Sequence, residues 1–140
     1  MHFPLLTFLL AILAPNSLLA NFMITEFVAD NDGSTLDEDG DATDWIEINN
    51  PGADAASTAG LYLTDSQTQP TKWALPDIEI PPGGYFVVFA SGKDRRVGGS
   101  ELHTNFSLSA GGEYLALIGG SDVLTEFAPQ YPKQFYGVAY

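Results

Sequence analysis

After its first twenty residues, this chain alternates apolar and polar side chains with a period of two. The runs are short and are broken by Gly, Pro, Asn and Asp. Such alternation predicts half-buried strands, and no stretch carries the 3.6-residue period of a helix. Phe22–Ala29 is the first run, with Phe22, Ile24 and Val28 set against Glu26. In Asp44–Asn49, Trp45, Glu47 and Asn49 share one face and Ile46 and Ile48 the other. Gly60–Asp65 follows, then Lys72–Leu75 around Trp73, and a brief run at Ile78–Ile80. Pro81-Pro82-Gly83-Gly84 predicts a turn, because proline presets φ and glycine accepts positive φ. Tyr85–Ala90 is apolar on both faces and predicts a strand buried on both sides. Asn105–Leu108, Glu113–Ile118 and Val123–Phe127 complete the series, with Gly-rich turns between them. Seven to nine strands at this spacing predict an all-β, immunoglobulin-like antiparallel β-sandwich without internal repeats.

Residues 1–20 read differently. Leu5–Ala14 is an apolar run of signal-peptide length, too short to span a bilayer. Pro15 and Asn16 break it, and small Ala20 suits the residue before a cut. The region ahead of the run has His2 but no Lys or Arg, and Leu18 is bulky for a cleavage site. The expectation is a signal peptide over 1–20 and a secreted or surface domain over 21–140, with no membrane insertion after cleavage. An uncleaved anchor or a misplaced start is the competing reading.

Composition narrows the partners. Eighteen acids against five bases leave a formal charge of -13, which repels phosphate backbones and anionic membranes. Nucleic-acid binding is therefore not expected; cationic groups and hard metal ions are the natural ligands. The chain has no cysteine, so disulfides, thiolate metal sites and cysteine nucleophiles are excluded together. A hydrophobic content of 45% supplies enough core to hold the domain by packing alone.

Taken in order, the segments resemble the lamin-tail domain in its bacterial extracellular form. The likeness is carried by ITEFVADNDGST (24–35), DGDATDWIEINNPG (39–52), GLYLTD (60–65) and TKWALPD (71–77). It continues through IPPGGYFVVFASGKDRR (80–96), LHTNFSLSAGGEYLALI (102–118) and EFAPQYPKQF (126–135). The resemblance implies an immunoglobulin-like sandwich with a non-catalytic interaction or scaffold role. In bacteria it implies an accessory module of secreted or surface proteins, with a protein or surface polymer as partner. The chromatin association of eukaryotic members does not carry over to so acidic a surface.

Candidate chemistry is sparse. His103 is the only histidine beyond the first twenty residues, and no G-x-S-x-G elbow accompanies it; it is expected in a loop near the sandwich rim. Glu26 and Glu47 lie within strands and are expected to be structural, with Lys72 or a backbone amide as partner. Lys93, Arg95 and Arg96 form the one basic cluster, expected as a solvated loop tip or a docking patch for an acidic partner. Trp45, Trp73, Tyr131, Phe135 and Tyr136 are candidates for stacking on sugar rings, although Trp73 fits a core plug equally well.

The segment Asp30–Asp44 carries seven acids and no base. Asp30, Asp32, Asp37, Asp39 and Asp41 are candidate calcium ligands, since Ca²⁺ takes several carboxylate oxygens from a tight loop and Gly40 lets the chain turn. An EF-hand is excluded. Counting from Asp37 puts Ala42 at the glycine position and Ile48 at the bidentate glutamate, and counting from Asp30 puts Thr35 at the glycine. The alternative function is therefore a calcium-dependent adhesive or carbohydrate-binding module; the alternative structure is a solvated connector.

Overall fold

The computed structural model describes residues 21–97 and 99–140. The expected signal segment lies outside them. Ten strands run in order: β1 (Met23–Val28), β2 (Asp44–Asn49), β3 (Ala56–Ser57), β4 (Leu61–Thr64), β5 (Trp73–Ala74), β6 (Glu79–Ile80), β7 (Tyr85–Ala90), β8 (Leu102–His103), β9 (Leu115–Gly119) and β10 (Asp122–Phe127). Among the described residues there is no helix.

Two four-stranded sheets, β1-β2-β7-β8 and β10-β9-β4-β5, form the expected all-β sandwich, and β3 and β6 pair separately. The pairing is antiparallel except for β7 with β8, which run parallel. The predicted strands match β2 and β7 at both ends. The signal read at Asn105–Leu108 belongs instead to a segment whose strand is β8, with only an isolated bridge from Ser107 to Ser91 beyond it. A parallel partner leaves no hairpin turn in the sequence to mark it.

Period two sorts the side chains of the first sheet except in β1, where a register shift between Ile24 and Glu26 turns Phe27 inward and puts Val28, expected on the face of Phe22 and Ile24, on the other side. Ile24, Phe27, Ile46, Ile48, Val88 and Leu102 point inward and join Trp73, Leu63, Leu115 and Leu117 in the core. Burying each such aliphatic group contributes about 1.5–3 kcal/mol. Trp73 is the core plug, and Tyr131 is also inside; its hydroxyl donates to the Ser109 carbonyl at 2.9 Å. Neither ring is a sugar platform. Tyr140 covers part of the free edge of β1: Phe27 and Tyr140 exchange backbone hydrogen bonds at 3.2 and 2.9 Å, which blocks pairing at that point.

The outward face of this sheet has two halves. Tyr85 (61%), Met23 (41%) and Val87 (39%) are exposed, so β7 is not buried on both sides as its composition suggested. Toward the other end of the same strands, Val28, Phe89 and His103 lie side by side in register with half-buried Trp45 and are covered. Over His103, the acidic loop brings Glu38 Oε1 to 4.0 Å from Nε2, and the loop after β7 brings Ser91 Oγ to 2.8 Å from Nδ1.

Candidate functional site

The acidic loop is built around one aspartate. Asp37 Oδ1 accepts the backbone N–H groups of Asp39 and Asp41, both at 3.0 Å, as short polar side chains do in Asx-turns. The backbone closes the same turn: Gly40 N–H donates to Asp37 O at 2.8 Å and Asp37 N–H to Asp41 O at 2.9 Å. Gly40 sits at φ 82°, a left-handed conformation that glycine adopts without strain. The result folds Asp37 inward, with its side chain fully buried, and brings carboxylate oxygens of Asp37, Asp39 and Asp41 within 4.8 Å of one another.

A cation from the same chain stands among them. Lys93 Nζ lies 2.5 Å from Asp37, 2.7 Å from Asp39 and 2.9 Å from Asp41. The loop after β7 aims it there; Ser91 Oγ accepts the Lys93 N–H at 3.2 Å, and Gly92 and Asp94 both take positive φ. Arg95 adds a fork, 3.1 Å to Glu38 and 2.7 Å to Asp39. The two segments are thus tied by five ion-pair contacts although they lie more than fifty residues apart.

The charges respond accordingly. Hydrogen bonds from Arg95 and Lys93 hold the Asp39 carboxyl down at about 2. Burial pushes Asp37 up, but the Lys93 ammonium and the two backbone N–H groups outweigh it and hold the carboxyl below its ordinary range. The same contacts raise Lys93, through Asp37 first, and keep it charged.

Beneath this loop lies His103. Its ring stacks on Phe89 with centroids 5.4 Å apart, and its Nδ1 is 2.8 Å from Ser91 Oγ. Nε2 is buried and without a hydrogen-bond partner, 4.0 Å from Glu38 Oε1. Burial, then the nearby Lys93 charge, lowers its pKa and keeps the imidazole neutral. The expectation of a rim loop residue was wrong. In LHTNFSL the alternation places His103 on the outward side, and outward here means under a loop. No local signal shows that a segment more than sixty residues earlier covers it.

The other expected site residues go elsewhere. Asp30 and Asp32 do not join the cluster. The Asp30 carbonyl accepts the Gly137 N–H at 2.8 Å, and Asp32 Oδ1 accepts the Ser34 N–H at 2.9 Å. Both thus serve local turns and the C-terminal segment. Lys72 pairs with Asp65, not with Glu26 or Glu47. Glu26 and Glu47 stand opposite each other on the outward face, where Thr25 Oγ1 donates to Glu47 at 2.7 Å. Arg96 lies over the Trp73 ring at 5.5 Å and pairs with Asp94. The basic cluster is thus largely engaged by the chain's own carboxylates. Phe135 and Tyr136 remain exposed.

A residue absent from the expected ligands completes the picture. Asp44, with Thr43, Ser91 and Ser107, lines an open cleft of about 220 Å³. Desolvation, with Asp30 and Glu113 nearby, raises its carboxyl to about 6 against the pull of two backbone N–H groups. Comparison with known protein families finds no family model that matches the chain, and no curated protein matches it.

Proposed function

We propose that this chain is an exported, non-catalytic interaction module of the lamin-tail type, docking a protein or surface polymer on the outward face of β1, β2 and β7. One observation carries the reading: Tyr85, Val87 and Met23 lie exposed on adjacent rows of that face, beside Glu26 and Glu47. Exposed apolar side chains grouped on a regular sheet and bordered by charge are the usual form of a protein-docking surface. The ordered lamin-tail segments and the apolar run at Leu5–Ala14 support family and export. Engagement of Lys93 and Arg95 by carboxylates argues against a phosphate-binding surface.

A calcium-dependent or carbohydrate-binding module is the second reading. The exposed rings of Phe135 and Tyr136 favour it, whereas calcium at Asp37, Asp39 and Asp41 would have to displace Lys93. The test immobilises the full chain and a Tyr85→Ser/Val87→Ser variant against secreted and envelope fractions, alongside a glycan array with calcium or chelator. A protein or polymer held by the wild type and lost by an equally stable variant is the expected result. Equal retention by both would remove the face, and calcium-dependent saccharide hits would favour the second reading.

A further inference from the structure

Three carboxylates this close repel one another, and a cation among them relieves that repulsion. Ca²⁺ would need the same oxygens, at roughly 2.3–2.6 Å from each. The Lys93 ammonium already contacts all three, at 2.5, 2.7 and 2.9 Å. The remaining capacity of Asp37 is committed as well: Oδ1 takes two backbone N–H groups, and Thr43 Oγ1 lies 3.4 Å from Oδ2. A second cation in the cage would collide with the ammonium and be repelled by its charge. A second, independent feature sits directly below: the buried, unpartnered His103 Nε2, facing Glu38 of the same loop.

We infer that Lys93 is a tethered resident cation: it takes the place of calcium in the Asp37–Asp39–Asp41 cage and closes the loop over His103, so that lysine and calcium exclude each other there. The native loop closes without a divalent ion. Removing the lysine charge opens the loop, uncovers His103 and leaves a cage that calcium re-closes. This does not depend on what the exposed sheet face binds.

The test uses the full chain as wild type, Lys93→Gln and Lys93→Gln/Asp39→Asn, at fixed ionic strength with calcium, magnesium or chelator. The readouts are the melting temperature and the rate of imidazole modification at His103, resolved by peptide from His2. Wild type should melt within about 1 °C in calcium and in chelator, with His103 protected throughout. In chelator, Lys93→Gln should modify at His103 at least about tenfold faster, the mark of a shifted local opening. Calcium but not magnesium should restore protection, and the double variant should not recover. A calcium-specific rise in wild-type melting temperature would overturn the inference. So would a Lys93→Gln protein that keeps His103 sealed in chelator. Should that variant fail to fold, the wild type alone decides. Its ¹⁵N-labelled Lys93 ammonium should exchange slowly and hold its chemical shift across a calcium titration; a saturable shift would refute tethering.

Discussion

Asp39 and Asp44 lie five residues apart in one acidic run, yet one carboxyl is held at about 2 and the other is raised to about 6. Arg95 and Lys93 reach Asp39 from the loop after β7. Asp44 begins β2 at the edge of a cleft, loses water, and has Asp30 and Glu113 as its charged neighbours. The first region is a cluster of acids with its counter-ions built in; the second is an acid with none. The same residue type in the same segment is stabilising in one place and costly in the other. What decides is which distant segment folds back onto it.

The largest break in this comparison comes from a carboxylate with neither cation nor water. Val88 is fully buried between the sheets, so Val88→Asp should remove at least about 4 kcal/mol in urea denaturation and leave little folded protein. Val87→Asp is the control. Its side chain faces outward opposite Glu47, where a like charge is screened by solvent, and the loss should stay below about 1 kcal/mol. Equal losses at the two positions would mean that β7 is covered on both faces after all.

Within the cluster, burial decides which carboxylate contributes most. Asp37 holds the turn through two backbone N–H groups and has a fully buried side chain, whereas the Asp41 side chain is 61% exposed. Asp37→Ala should cost about 2 kcal/mol, because it leaves the N–H groups of Asp39 and Asp41 without their acceptor and removes a buried charge partner of Lys93. Asp41→Asn should leave the urea midpoint where it was. A larger effect at Asp41 would show that the exposed contact to Lys93, rather than the buried one, holds the loop.

Much of this was legible in the residues. Alternation placed β2 and an unbroken apolar run placed β7, both to the residue, and Ile46 and Ile48 fell on the face opposite Trp45, Glu47 and Asn49, which is the core face. The density of acids with Gly40 pointed to calcium ligands; three of the five, Asp37, Asp39 and Asp41, converge, and they do so around Lys93. What alternation does not encode is the cover on an outward face. Val87 and Phe89 are equivalent by period two; one is exposed and the other is buried against His103. For the same reason His103 read as a rim residue and Lys93 as a solvated tip. Both belong to a contact that depends on the acidic loop folding back over the sheet, and no local pattern carries that information. Asp30 and Asp32 resembled the other aspartates in the run, but Asp32 and Asp30 are taken up by the Ser34 turn and the C-terminal segment.

The smallest effect isolates the second region, and its sign is opposite to that of the first. The folded Asp44 carboxyl is raised to about 6 from an ordinary 3.8, so the folded state holds the extra proton between those two values. Stability from this group therefore rises as pH falls from about 6 toward about 4 and is flat above. Asp39 works in a separate window. Its carboxyl is depressed to about 2, so its contribution is complete above the ordinary value and is lost as pH falls through about 2. The wild type should be most stable on the acid side of neutrality, near pH 4–5, and lose stability below it. Asp44→Asn keeps the shape without the charge. After discounting for the solvent that the open cleft admits, it should stabilise by about 1 kcal/mol at pH 7 and flatten the slope between pH 4 and 6. Some slope should survive, because burial also raises Glu113, and Glu113→Gln should reduce it further. Urea midpoints at half-unit pH steps read both effects. If Asp44→Asn destabilises at pH 7, the carboxylate is a wanted hydrogen-bond acceptor for the N–H groups of Asn31 and Leu108, and its desolvation is not the dominant effect.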